Sequence, residues 1–250
     1  MTRHLAAFYQ SAAITTLVAI NAVPDTQIFT SGTTQRVPPD LPFIASCMAS
    51  YAGSTITQAQ VETPSLRALA NYDISALNPP AVTSANNNLD DRYDNPLALA
   101  GNETLTLSIA GTNAGAAAAY GIVEYCDGPV KPATGNFFTV QATGAATLSA
   151  GKFVNTAVTF DTVLPAGTYN VVGFRAIGAN LVAARIAFVG GVYRPGVLGY
   201  PSLGSEDNPR YRAGMSGVYG SFDINQPPTV DCLGITDTAQ TFLFDLVKTK

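Results

Sequence analysis

The residues that could do chemistry are few and scattered. His4 is the single histidine, and Cys47, Cys126 and Cys232 are the three cysteines. A His/Cys metal site or a Cys–His nucleophilic pair built from this chain would have to use that histidine beside the N-terminus. The cysteines are odd in number, widely spaced and set among apolar neighbours, a pattern that favours buried reduced thiols over a disulfide framework.

Oxygen ligands are denser in one place. Asp90, Asp91 and Asp94 lie among Asn87, Asn88 and Asn95, and calcium takes six to eight oxygen ligands. These three aspartates are the candidate site for calcium or magnesium. The twelve-residue EF-hand spacing is absent and Arg92 interrupts the run, which favours a solvated turn. No other cofactor is implied.

Paired carboxylates for acid–base work would have to converge on a cleft. Glu124 and Asp127 are close in sequence, but nothing couples them or the other dispersed acids. GTNAG (Gly111–Gly115) and GGVYRPG (Gly190–Gly196) lack both the dinucleotide fingerprint and the phosphate-loop lysine, so they read as turns. The expectation is a protein that is not an enzyme.

Charge and aromatic rings interleave at Tyr193, Arg194, Tyr200, Arg210, Tyr211 and Arg212. Such residues can stack bases, but they are also enriched where proteins meet. The net charge is −4 and no basic stripe occurs, so sequence-specific gripping of nucleic acid is not expected. Tyr193, Arg194, Arg210, Tyr211 and Arg212, with Leu5, Phe8 and Tyr9 near the N-terminus, are the candidate subunit-contact residues.

The elements that must position these residues are strands. FVNTAVTF (Phe153–Phe160), TYNVVGFRAI (Thr168–Ile177) and LVAARIAFV (Leu181–Val189) are rich in Val, Phe, Tyr and Thr and are cut by LPAG and GAN, as in an antiparallel meander. Glu103–Ile109 alternates apolar and polar residues, Ala117–Tyr125 follows it, and Thr236–Val247 carries apolar residues on both faces. Earlier strands are expected at Ala13–Ile20, Asp25–Thr30 and Thr55–Val61, with Leu41–Ala52 either strand or helix. Ser31–Asp40 reads as a connection and residues 1–12 as a short helix or an N-terminal arm. Another pair is expected at Asn136–Gln141 and Ala145–Leu148.

Many short strands without intervening helices give an all-β sandwich or jelly roll. The Pro, Asn and Asp-rich stretch from Asn78 to Asp94 places a domain boundary near it: a first β-sandwich at 13–95 and a second at 96–250. Only 12% of residues are charged, against about 25% in a typical soluble protein. Such a surface suits a subunit flanked by copies of itself. No run approaches the ~20 apolar residues of a membrane helix, and the N-terminus lacks an export signal, so synthesis in the cytoplasm is expected.

Several phrases, in their order, resemble the major capsid proteins of tailless icosahedral phages in the double jelly-roll lineage. They are ITQAQVETPSLRALANYDISALNP (Ile56–Pro79), VLPAGTYNVVGFRAIGANLVAARIAFVGGVYRPGVLG (Val163–Gly199), GVYGSFDINQPPTVDCLG (Gly217–Gly234) and TFLFDLVKT (Thr241–Thr249). The resemblance implies two jelly rolls in tandem, the first short, and homotrimeric capsomers tiling an icosahedral shell. It further implies penton and minor capsid proteins as partners, a possible internal membrane and a place in the virion capsid. It supplies no catalytic residues. A carbohydrate-binding jelly roll with calcium near Asp90–Asp94, or a viral spike or minor capsid protein, is the alternative.

Overall fold

The computed structural model describes residues 2–51, 56–67, 72–73, 90–112, 115–200 and 214–250. Among them are twenty strands and one four-residue helix, Pro64–Arg67, so the chain is all-β. No helix among the described residues is long and apolar enough to cross a membrane. The backbone forms two compact units: Leu5–Pro129, and Val130–Lys250 with Met1–His4.

The N-terminal unit contains β1 (Arg3–Ala12), whose first two residues belong to the other unit, then β2 (Val18–Ala19), β3 (Thr30–Ser31), β4 (Thr34–Arg36), β5 (Phe43–Tyr51) and β6 (Ile56–Glu62). It continues with β7 (Tyr72–Asp73), β8 (Asp90–Asp91), β9 (Leu97–Ala98), β10 (Thr104–Gly111) and β11 (Ala117–Cys126). One sheet runs β1-β11-β5-β8 with β9 also on β5. The other runs β3-β4-β10-β6-β7 with β2 on β10. Taking β2–β4 as one position and β8–β9 as another, the unit has eight positions, paired 1-8-3-6 and 2-7-4-5.

The C-terminal unit contains β12 (Phe138–Gly144), β13 (Val154–Ala157), β14 (Thr159–Phe160), β15 (Thr168–Ile177), β16 (Leu181–Ala187), β17 (Gly196–Tyr200), β18 (Gly220–Asp223), β19 (Thr229–Gly234) and β20 (Gln240–Lys248). β12-β20-β15-β18 form one layer, with β14 on the edge of β12, and β13-β19-β16-β17 form the other. Leaving β14 aside, the order is again 1-8-3-6 and 2-7-4-5. Two interleaved four-stranded layers of this kind are jelly-roll-like. β17 pairs antiparallel with β16 and also parallel with β15 through Ala176↔Gly199 and Ile177↔Tyr200, joining the layers into a nearly closed barrel.

Side-chain alternation explains the interior of this barrel. Phe242, Phe244 and Leu246 of β20 face Tyr169, Val171, Phe174 and Ala176 of β15, with Val230 and Cys232 of β19 and Ala184 and Ile186 of β16 in the same buried cluster. A bulge between Val171 and Gly173 shifts the β15 register against β20, so that Val171 and Phe174, three residues apart, both point inward. Closure needs Gly199: a Cβ there would stand 2.7 Å from the carbonyl carbon of Leu181.

Four expectations change. Leu5–Tyr9 lies in a ten-residue strand instead of a helix or free arm; Arg3–Phe8 are all buried, so no alternation marks the strand. Between Ala13 and Ser31 only Val18–Ala19 and Thr30–Ser31 are strands, while Thr34–Arg36, read as connection, pairs with β10. The units divide at Pro129–Val130 and not near residue 95, because β10 and β11 return to pair with β6 and β5. Ala145–Leu148 forms no strand.

Candidate functional site

The densest polar arrangement in the C-terminal unit grows from one register. Val230 and Cys232 point into the core, so Asp231 between them points the other way. Its direct cross-strand neighbours are Asn155 on β13 and Arg185 on β16. Arg185 Nε donates to Asp231 Oδ2 at 2.9 Å, and Asn155 Nδ2 donates to Asp231 Oδ1 and to Thr229 Oγ1, each at 2.8 Å. Arg185 is buried and its guanidinium lies 3.8 Å from the centroid of the Phe153 ring.

Arg194, on the β16–β17 loop, brings a second guanidinium: its Nη1 also donates to Asp231 Oδ2. Its backbone N–H donates to His4 Nδ1 at 3.2 Å, and the His4 ring sits 5.7 Å from that of Tyr193. Arg3 caps the Tyr219 ring at 4.1 Å. One carboxylate thus ties together β13, β16, β19 and the β16–β17 loop, while His4 is held to the same loop. A buried ion pair of this kind positions backbone, because either partner left alone would be an uncompensated charge.

The other ionisable groups are also embedded. All three cysteines are free and buried. Burial, with Asp231 and Asp237 nearby, pushes the Cys232 thiol up to about 12, so it holds its proton at neutral pH. Asp245 accepts from Thr139 Oγ1 at 2.5 Å and lies 4.0 Å from Arg175. Burial nevertheless raises its pKa above the ordinary carboxylate value, with the Thr139 hydrogen bond and the Arg175 charge opposing the shift.

The residues expected to be functional fall apart in space. Asp90 and Asp91 pair through their backbones with Cys47 and Ser46, and their side chains lie outside the described residues. Asp94 is exposed in a turn closed by Asn95 N–H donating to Arg92 O. Among the described residues no group of three His, Cys, Asp or Glu is arranged to hold a metal. Leu5 and Phe8 are buried within the chain itself. Tyr9 is part-buried, its ring 4.9 Å from that of Tyr120. Tyr193 and Arg194 are half-buried and joined to His4 and Asp231, and Arg210, Tyr211 and Arg212 lie outside the described residues.

Sequence reading missed Asp231 and Arg185. The signal was present as a lone charge in each of two otherwise apolar strands, TVDCLG and LVAARIA. It also missed an asymmetry of the barrel. β15 starts and β16 ends at one end, joined at the other by the 178–180 turn. At the first end Val189 and Val192 are two-thirds exposed, Val163 is 94% exposed, and Phe137 and Phe138 are more than a third exposed. The 145–153, 178–180 and 235–239 connections at the other end carry no exposed large apolar residue.

No protein-family model matches the chain, and no curated protein matches it. Solved structures do. The chain is similar to the major capsid protein P2 of bacteriophage PM2, at 11% identity over 99% of this chain and 97% of that one, with a TM-score of 0.28. It is similar to the STIV MCP at 11% identity, 99% and 97% coverage and a TM-score of 0.26. A chain in the atomic structure of Sulfolobus Turreted Icosahedral Virus matches at 11% identity, 99% and 91% coverage and a TM-score of 0.26.

Proposed function

We propose that this chain is the major capsid protein of a tailless icosahedral virus, built from two jelly rolls in tandem and assembling as trimeric capsomers into the shell. The observation that carries this reading is the strand order. Both units pair as 1-8-3-6 and 2-7-4-5, and the sequence phrases that resemble this lineage run through both. With the division at Pro129–Val130, each unit has the eight positions of a full roll. In this reading the first roll is as complete as the second, where a boundary near residue 95 had implied a short one.

The physics of the surface agrees. Sparse charge and exposed aliphatic loops suit a protein whose flanks are covered by its own copies, because closed symmetric assemblies bury the same modest interfaces many times over. The polar cluster around Asp231 serves in this reading as a brace that holds a loop at one end of the second barrel, with no substrate to act upon. Penton and minor capsid proteins, and a membrane beneath the shell, are the partners that such a shell would meet.

Electron microscopy of the purified full chain, with its mass in solution measured alongside, tests the proposal. Trimers that tile into hexagonal sheets or shells are expected. A persistent monomer that binds glycans on an array would sink it in favour of a carbohydrate-binding module.

A further inference from the structure

We propose that the tip of the β16–β17 loop is the donor half of a head-to-tail contact between copies of this chain, with Val189 and Val192 seating against Phe137, Phe138 and Val163 of the next copy. The inference rests on the capsid reading and names the surface through which copies meet.

The loop is held rigid at its base and bare at its tip. Ile186 N–H donates to Pro195 O at 2.8 Å, and Gly191 N–H donates to Phe188 O at 3.0 Å. Arg194 is fastened to buried Asp231 by its side chain and to His4 by its backbone. Gly190, at φ +75, makes the turn between the two valines. A loop fixed in one conformation loses little entropy on docking, so more of the apolar burial appears as affinity.

The chemistry of the tip selects its partner. Phe188-Val189-Gly190-Gly191-Val192 carries no charge and no side-chain hydrogen-bonding group, so it has nothing with which to read a sugar or a phosphate. It matches an uncharged apolar surface. This chain displays one at the same end of the same barrel, where Phe137 and Phe138 lead into β12 and Val163 stands on the connection that enters β15. That connection runs beside β12, since Asp161 N–H donates to Gln141 O at 3.0 Å.

The strand order also separates donor from acceptor. From β12 the path of paired strands passes through β20, β15 and β17 before it reaches β16. The valines therefore follow a strand of one layer, while the phenylalanines lead into a strand of the other. Two different, matching patches on one subunit make a heterologous contact, the kind that closes rings.

The test uses the full chain and reads assembly by analytical ultracentrifugation and electron microscopy. V189D/V192D should melt with the wild type, because both side chains are in water, yet remain dissociated at concentrations where the wild type assembles. Phe138→Asp should do the same, and V192D combined with Phe138→Lys should restore assembly by pairing opposite charges. If V189D/V192D assembles like the wild type, the contact is wrong while the capsid reading stands. If the wild type itself never assembles, the capsid reading fails and this contact with it. Valine-dependent co-sedimentation of a monomeric wild type with phosphatidylcholine vesicles would overturn the proposal in favour of a lipid surface.

Discussion

Arg185 and Asp231 stand directly opposite one another on neighbouring strands, with Nε and Oδ2 2.9 Å apart and each side chain only 2% exposed. They lie on the face turned away from the core cluster, yet they are as buried as the core itself. One carboxylate there holds two guanidiniums and an amide, so the outer surface of β13, β19 and β16 is cross-braced by charge where apolar packing would ordinarily suffice.

Removing that carboxylate should be costly. Asp231→Ala removes the carboxylate that faces buried Arg185, and breaking a buried pair in this way costs about 3–5 kcal/mol. Urea unfolding of the full chain should show the midpoint falling accordingly. The double variant Arg185→Met with Asp231→Leu should recover most of the loss, since Arg194 is exposed enough to turn its head into water. Equal destabilisation in the single and double variants would argue against a charge-based brace.

Asp245 gives the opposite sign. Its folded pKa lies above its ordinary value of about 3.9, so the folded state favours the protonated acid. Its stabilising contribution is present below that ordinary value and is lost as the pH rises through the folded pKa. Asp245→Asn cannot ionise, and it should therefore gain in melting temperature over the wild type toward pH 8, with the gap narrowing toward pH 4. Melting curves that stay parallel across that range would contradict this.

Gly199 should tolerate no side chain. A Cβ at this position would press into the Leu181 carbonyl group, at the point where β17 meets both β16 and β15. Gly199→Ala is expected to cost at least the ~1–3 kcal/mol typical of overpacking. Hydrogen exchange should locate the loss in β17 and its partners, with the β12–β20 pair less affected.

The thiols should be silent in the native protein. Cys47, Cys126 and Cys232 are buried, and the Cys232 thiol is also held protonated far above neutral pH. Titration with a thiol reagent at pH 8 should find none of the three reactive until denaturant is added. Rapid labelling of Cys232 in the folded chain would refute the burial described for β19.

Local pattern carried a good part of the fold. The strands at Thr168–Ile177 and Leu181–Ala187 fall where Val, Phe and Tyr runs stop at GAN, because β-branched and aromatic residues together with turn residues are short-range information. The same pattern failed at Arg3–Ala12. A strand whose opening residues are buried on both faces shows no alternation, and an Arg and a His there look like the start of a mobile tail.

An all-β chain with little charge and buried thiols was legible before any folding, since each of these follows from composition or from neighbours a few residues apart. Tertiary structure alone decided that Glu103–Tyr125 belongs with the first unit, that Asp231 meets Arg185 and Arg194, and that bare valines gather at one end of a barrel. Each of those relations joins residues through strands that pair out of sequence order. The pairing is chosen by the burial of whole faces, a sum over the entire chain that no short stretch contains.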